Sequence, residues 1–322
     1  MGVGGLHSTE KSVVHLADAE YSLQDVDVSS YYPKLIIQTG IVPAAIGPDF
    51  LMIYEKWYNT RLEAKKSGNK KKADSLKTFL NGTFGKLASM WSIFYDPPGF
   101  VQVTIGGQLS LLMLIEALEV CGISVVSANT DGILIRCRRD MEWLRDQCVQ
   151  WWLGVTGFEV EAVNYRAICM RDVNNYIALP EDQSKPPKLK GEYARPVPVA
   201  TSWPNPTGEV CIDALVEYFT KGTPMETTIR ACTDVRKFVH VRRVAGGGVW
   251  KDEYLGKAVR WYYATGDTAE IKYVTNGNKV ADSDGCRPMM ELPVGNLVPA
   301  DVDYNRYLAD ARKMLNNLGV QG

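Results

Sequence analysis

Two hydrophobic periods divide the chain into strands and helices. Residues 21–29 (YSLQDVDVS) read as a strand that closes before Tyr32-Pro33, because proline cannot donate to a strand ladder. From about 50 to 67 the pattern is helical, Ser67-Gly68-Asn69 interrupts it, and a second helix runs over about 70–90. These form an antiparallel helical hairpin with arms of about 27–30 Å at 1.5 Å per residue. Residues 102–121 suit a buried helix. Short apolar strands at 123–128 and 133–137 then flank Asn129-Thr130-Asp131-Gly132, and an Asp-Gly pair between apolar runs predicts a tight hairpin.

Further along, a helix is expected over about 140–153 and strands over 158–163, 165–179 and 188–194. The Pro-rich stretch 196–206 is the best domain boundary. Beyond it the pattern reads as largely helical to about Ala264, followed by a polar Gly-rich stretch and an amphipathic helix over about 303–318. Gly2-Val3-Gly4-Gly5-Leu6 reads as a flexible approach. No internal repeat or low-complexity tract is evident.

Composition changes this picture little. An apolar fraction of 46% over 322 residues supports a sizeable core, which excludes disorder as the default. Charge is informative through its distribution. The net value is −1, yet residues 51–90 hold nine Lys/Arg against three Asp/Glu, so a basic stripe lies on an otherwise acidic chain. That asymmetry suits a polyanionic ligand, and equally a solvated helix face. Seven cysteines at irregular spacing, with no CxxC pair, argue against a disulfide framework and a zinc site. No apolar run approaches 18 residues and no signal-peptide pattern follows Met1, so a soluble, cytoplasmic protein without a membrane partner is expected.

The candidate chemistry lies in three places. Asp27 ends an apolar strand and Asp131 sits at a hairpin tip. If the two converge they can share divalent cations, since Mg²⁺ prefers oxygen ligands and keeps several waters; taken singly, each is as readily a turn former. The third place is the basic hairpin. Arg61 and Lys65, four apart, share a face of its first helix. Lys77, Asn81, Phe84 and Gly85 share a face of the second. Basic residues there suit a triphosphate, whose transfer depends on positioning and charge neutralisation. Gly82 and Gly85 inside a helix cost about 1 kcal/mol each against Ala, which predicts a close approach to the backbone.

The three segments together resemble the motifs of family B DNA polymerases. Asp27-Val28-Ser29-Ser30-Tyr31-Tyr32-Pro33 resembles motif A. Lys77-Thr78-Phe79-Leu80-Asn81-Gly82-Thr83-Phe84-Gly85 resembles motif B, and Asn129-Thr130-Asp131-Gly132 resembles motif C. Their order and intervals also fit. The resemblance implies an α+β right-hand fold: an N-terminal palm part over 1–49, two-helix fingers over 50–90, palm over 91–196, and a mainly helical thumb and tail over 197–322. It implies DNA-dependent DNA synthesis from dNTPs on a primer–template, with two Mg²⁺ ions for which Mn²⁺ substitutes.

Roles follow residue by residue from that resemblance. Asp27, Asp131 and the Val28 carbonyl hold metal. Ser30 and Tyr31 amides receive the triphosphate tail, and Tyr32 is the steric gate against a ribose. Arg61, Lys65 and Lys77 bind phosphates, with Lys77 placed to protonate pyrophosphate. Asn81, Phe84 and Gly85 line the nascent base pair. Gly4-Gly5 matches a template-contacting Gly-Gly. Asn174-Asn175-Tyr176 and Lys188-Leu189-Lys190-Gly191 resemble duplex-binding segments, bringing in Tyr176, Lys188, Lys190 and Gly191. Arg236, Lys237, Arg242, Arg243, Lys257 and Arg260 are candidate thumb contacts to phosphate.

Departures from the pattern are Asn129 for an Asp in motif C, Gly82 and Phe84 for Ser and Tyr in motif B, and the missing Lys before Tyr176. Only 26 residues precede Asp27, so proofreading is expected from a separate 3′–5′ exonuclease chain or module. The short fingers and Asn-Thr-Asp-Gly variant resemble bacteriophage members, which would place the protein in a host bacterial cytoplasm. The alternatives are a non-catalytic DNA-binding subunit on the same hand, or a template-independent nucleotidyltransferase or primase.

Overall fold

The computed structural model describes residues 4–195 and 208–321. In chain order its elements are β1 (Leu6–His7), β2 (Val13–Leu16), β3 (Tyr21–Val28), α1 (Tyr31–Thr39), α2 (Asp49–Lys66), α3 (Lys70–Leu87), α4 (Pro97–Val120), β4 (Ser124–Thr130) and β5 (Gly132–Arg138). There follow α5 (Glu142–Thr156), β6 (Val160–Asp172), β7 (Asn175–Pro180), β8 (Lys188–Leu189), α6 (Glu209–Lys221) and α7 (Met225–Ala231). The last are β9 (His240–Trp250), β10 (Glu253–Tyr263), β11 (Ile271–Tyr273), β12 (Cys286–Pro288) and α8 (Tyr304–Asn317). Two compact units emerge. One comprises Met1–Glu10, His15–Ala167 and Pro180–Ser184; the other comprises Lys11–Val14, Ile168–Leu179 and Lys185–Gly322. The result is a mixed α and β architecture built on antiparallel sheets, as an α+β fold requires.

In the first unit the strand order is β1-β4-β5-β3-β6. Alternation along β3 sends Val26 and Val28 into the core, where they meet Ile133 and Ile135 of β5 together with Leu35, Ile36, Leu111, Leu114 and Trp152 from the helices. The opposite face of β3 carries Asp25 and Asp27. Packing the apolar face therefore fixes where the acidic face points, because a one-residue slip would bury both carboxylates.

The helical hairpin forms where the sequence places it. Asn69 accepts from the Lys72 amide at 3.2 Å and caps α3, after a turn in which Gly68 has φ +73°. The two arms are joined by a Tyr54 hydroxyl donating to the Leu80 carbonyl at 2.9 Å and by an edge-on Trp57–Phe79 pair with centroids 4.2 Å apart. Gly82 and Gly85 differ from expectation: no atom stands within 4 Å of a Cβ built at either, so neither serves a helix–helix contact.

Three further readings change. The strand ending near Tyr32-Pro33 gives way at Val28, and Tyr31 already begins α1. Proline is tolerated in a first helical turn because amides there have no intrahelical acceptor. Helix α4 is longer than the segment expected, and among the described residues it is the one helix long and apolar enough to cross a membrane, with mean hydropathy 1.5. Scattered Gln, Thr, Ser and Glu interrupt its apolar run without lowering the average much. Here its Val103, Leu111, Leu114 and Leu118 are buried in the core of the first unit. The expected strands 158–163 and 165–179 are instead β6 and β7, separated by a turn that Asp172 holds by accepting from the Asn174 amide at 2.9 Å.

The largest correction is in the second unit. The stretch expected to be largely helical as far as Ala264, the basis of a mainly helical thumb, contains α6 and α7 and then β9 and β10, the central pair of a four-stranded antiparallel sheet in the order β11-β9-β10-β12 whose outer strands follow Ala264. Strands β9 and β10 are rich in Val, Trp and Tyr, but Gly246-Gly247-Gly248 and an irregular register hide their alternation. Gly246 and Gly247 have φ of +78° and +102°, and a Cβ at Gly247 would collide with the Tyr254 ring. The Pro-rich stretch 196–206 lies outside the described residues.

Candidate active site

Register brings the backbones of the two candidate residues side by side. Asp27 pairs with Gly132 across β3 and β5, and the Val28 amide donates to the Asp131 carbonyl at 2.8 Å. A Cβ at Gly132 would fall on Oδ1 of Asp27, so glycine here leaves that carboxylate the place it occupies. Asp131 occupies the tip between β4 and β5, where Asn129 pairs with Gly132 and the Asp131 amide donates back to the Asn129 carbonyl at 2.6 Å. The tightness of that turn falls on Thr130, a β-branched residue held at φ +59°.

A second strained residue stands on the motif A side. Ser30 has φ +58° and ψ +46°, the left-handed region, and from it α1 departs. Left-handed serine and threonine beside two carboxylates fit the tendency of backbone strain to gather at functional sites. The first turn of α1 offers amides without intrahelical acceptors. Within it Tyr31 donates from its hydroxyl to the Gly107 carbonyl at 2.5 Å. Burial raises the Tyr32 hydroxyl pKa above its ordinary value, and the Asp131 carboxylate raises it further. Burial does the same for Tyr31, followed by Tyr32 and Asp131.

Motif B meets motif A through aromatic rings. Tyr32 stacks on Phe84 of α3 with centroids 4.0 Å apart and planes inclined by 14°, and Phe84 stacks in turn on Phe100 at 5.1 Å. Asn81 and Gly85, on the same helix, are exposed.

The basic residues of the hairpin also converge. Arg61 is buried, 9% exposed, and donates through one terminal nitrogen to the Ser30 hydroxyl, while its Nε is buried without a hydrogen-bond partner among the described residues. Lys65 forms an ion pair with Glu161 of β6. Its pKa is nonetheless lowered, because burial and the nearby charges of Arg61 and Lys77 outweigh the opposing pull of Glu159, and the contact with Glu161 does not reverse this direction. Arg61, Lys65 and Lys77 thus share one electrostatic neighbourhood beside Ser30.

Gly4 and Gly5 lie at this site too. β1 pairs with β4 (Leu6 opposite Thr130), a Cβ at Gly5 would fall 2.7 Å from the Thr130 Cα, and Gln108 donates to the Gly4 carbonyl. His7 links its Nδ1 to the Gly5 carbonyl at 2.9 Å and its Nε2 to the Thr130 hydroxyl at 3.1 Å. Of the segment expected to be a free approach, Gly2 and Val3 lie outside the described residues, whereas Gly4 and Gly5 are tied down beside the Asp131 turn and Leu6 opens β1.

The remaining candidates form a separate group in the second unit. The Lys190 amide donates to the Tyr176 carbonyl at 3.0 Å, and Lys188 pairs with Ala178. Gly191, at φ +61°, leaves room for Asn175, whose side-chain oxygen accepts from the Glu192 amide at 2.8 Å. Of the six candidate phosphate contacts further on, Arg236 pairs with Asp234, Lys237 with Asp213 and Arg242 with Asp282, whereas Arg243, Lys257 and Arg260 form no ion pair with a described residue.

Sequence reasoning missed Gly132 as the seat of Asp27, and it missed Glu161. Glu161 is the direct β6 partner of Asp27 and accepts from the Ser29 hydroxyl at 3.1 Å. The alternation Phe158-Glu159-Val160-Glu161 carried the signal of an acidic strand face, but only the fold sets that face beside β3. Among the described residues no group of three or more His, Cys, Asp or Glu forms a metal cage. The Asp27 and Asp131 carboxylates and the Val28 carbonyl are hard oxygen donors, the kind taken by a cation that keeps waters.

No family model and no curated protein matches this sequence. Among solved structures, the chain is similar to the family B DNA polymerase from the hyperthermophilic archaeon Pyrobaculum calidifontis. The TM-score is 0.57 with 14% identity, over 99% of this chain and 47% of that one. This chain therefore spans about half the length of that polymerase, and the likeness is one of fold.

Proposed function

We propose that this chain is a template-directed DNA polymerase that adds a deoxynucleotide to a primer 3′ end. The observation that carries the reading is the juxtaposition of Asp27, seated on Gly132 beside Asp131, with Ser30 at the start of a helix and the cations Arg61, Lys65 and Lys77. The fold shared with a DNA polymerase supports it.

In this reading the primer 3′-oxygen attacks the α-phosphorus of a dNTP, the bond to the bridging oxygen breaks, and pyrophosphate leaves. Asp27, Asp131 and the Val28 carbonyl would hold two Mg²⁺ ions, or Mn²⁺, which when bound assist the attacking and leaving oxygens. The chain's own contribution is positioning and charge. Arg61 turns from the Ser30 hydroxyl to phosphate oxygens, and its unpartnered Nε supplies an additional donor. The first-turn amides of α1 point at the triphosphate tail as helix N-termini do at anions. Lys77 delivers a proton to the departing pyrophosphate. Tyr32, held flat on Phe84, blocks a ribose 2′-hydroxyl. Phe84 lacks only the hydroxyl of the Tyr expected there, so the platform persists.

Primer extension by the purified chain on a primed template, with Mg²⁺ and four dNTPs, tests this directly. Asp131→Ala should lower the rate by about a thousandfold or more while leaving duplex binding within a few-fold. Undiminished extension by that variant would remove Asp131 from the chemistry. Omitting template or primer separates a template-independent transferase or primase from a polymerase, and binding without extension would identify a non-catalytic subunit.

A further inference from the structure

Glu161 belongs to no motif, yet its carboxylate sits on the phosphate-binding side of the site. It stands opposite Asp27 in the β3–β6 register, so two like charges face one another across neighbouring strands, an unfavourable arrangement unless a cation intervenes. Lys65 supplies that cation through its ion pair with Glu161, and the Ser29 hydroxyl donates to the same carboxylate oxygen at 3.1 Å. The pair is exposed, 47% at Lys65 and 58% at Glu161, so as a surface staple it contributes little to stability. Its neighbour Arg61 is occupied in a parallel way by the Ser30 hydroxyl. Both cations thus rest on oxygen atoms in places where phosphate oxygens could replace them.

We propose that Glu161 is an internal competitor for the triphosphate: its carboxylate occupies Lys65 in the free protein and must be displaced when a nucleotide binds, so it sets nucleotide affinity without entering the chemistry. This rests on the reading of Arg61, Lys65 and Lys77 as phosphate-binding. Glu161 is a positioning residue that acts through Lys65. Displacing it costs the ion pair and leaves Glu161 facing Asp27, and both costs fall on binding and spare the bond-making step. A site of this design holds its nucleotide more weakly than its three cations alone would, and releases pyrophosphate the more readily.

The test uses the full chain and inorganic tripolyphosphate, titrated by calorimetry, alongside steady-state primer extension. Glu161→Gln keeps the shape and removes the charge. It should bind tripolyphosphate about fivefold more tightly than the parent, and should lower KM for dNTP by a similar factor with kcat within twofold. The gain should vanish in a Lys65→Met background, since a competitor for Lys65 has nothing to compete for once Lys65 is gone. An equal gain in both backgrounds, or none in either, overturns the proposal, as does failure of every variant to bind tripolyphosphate. Should the parent fail to extend primers while the binding pattern holds, the competitor stands and the polymerase reading falls.

Discussion

Arg61 in the first unit and His240 in the second are both buried, and each keeps one ring or guanidinium nitrogen without a hydrogen-bond partner among the described residues. Their surroundings resolve the same deficiency in opposite ways. Arg61 stands near Lys65 and Lys77, beside a left-handed serine and the start of a helix. A guanidinium cannot shed its proton, so its charge persists and calls for an anion. His240 lies among rings, with centroids of Tyr263, Trp261 and Tyr307 at 4.8, 5.6 and 6.0 Å. An imidazole can lose its proton, and burial pushes its pKa down to about 4, against a weaker opposing pull from Asp282 and with small additions from Arg242 and Arg306. On the function proposed above, the buried nitrogen of the group that must stay charged is the one that meets a ligand, and that of the group that can become neutral belongs to the core.

That contrast is broken or sharpened most strongly by acid. His240 has a folded pKa of about 4 and an unfolded value near 6.5. Between these the unfolded chain binds a proton that the folded one refuses, so stability rises with pH across this window. It is lost as pH falls from about 6.5 to about 4, by about 3 kcal/mol at most. His240→Phe should abolish this loss while changing stability at pH 7 by about 1 kcal/mol or less. Urea unfolding of parent and variant at pH 7 and pH 4.5 measures the difference. An equally steep acid loss in the variant would show that His240 is not the sensitive group.

The corresponding change at Arg61 should separate affinity from stability. Replacing an incompletely partnered buried cation by an apolar side chain is often neutral or stabilising. Charge-assisted hydrogen bonds to a ligand are worth about 1.5–3 kcal/mol, so Arg61→Met should weaken tripolyphosphate binding by about 30-fold while its melting temperature stays level or rises. A variant that melts early and binds normally would reclassify Arg61 as a core residue like His240.

The same two regions differ in how much of them a sequence reader could see. In the first unit the hairpin arms, a tight β4–β5 connection and the shared faces of Arg61 with Lys65 and of Lys77 with Phe84 are local patterns, and the fold keeps them, except that the turn centres on Thr130-Asp131 and Gly132 already opens β5. What escaped there is set by long-range register: Glu161 opposite Asp27, Gly132 beneath it and Gly5 against Thr130. In the second unit the local pattern itself misleads. Three consecutive glycines break the period-two signal of β9, and the β9–β10 turn places Lys251 at φ +54°, a position where glycine or asparagine would have announced a hairpin. The buried cage around His240 left no trace in sequence, since it gathers Gly208, Trp261, Tyr263 and Tyr307 from scattered positions.

The smallest expected effect extends the argument to exposed cations. Alternation along β9 and β10 places Arg242 opposite buried Val259, and there it pairs with Asp282 at 2.9 Å. Arg243 lies opposite Ala258, two residues before Arg260, so Arg243 and Arg260 share the open face of the sheet with no ion pair to a described residue. Arg236 and Lys237 are already neutralised, each bonded at 2.6 Å to Asp234 and Asp213 respectively. If charge still seeking a partner is what marks a ligand surface, the open pair should contact duplex phosphates and the neutralised pair should not. Each phosphate contact adds about 0.9 to the slope of log affinity against log salt. The double change Arg243→Ala with Arg260→Ala should therefore lower that slope by about 2, and Arg236→Ala with Lys237→Ala should leave it nearly unaltered. Duplex binding measured from low to moderate salt decides between them, and equal slopes for the two double variants would mean that pre-existing ion pairs do not predict which cations reach DNA.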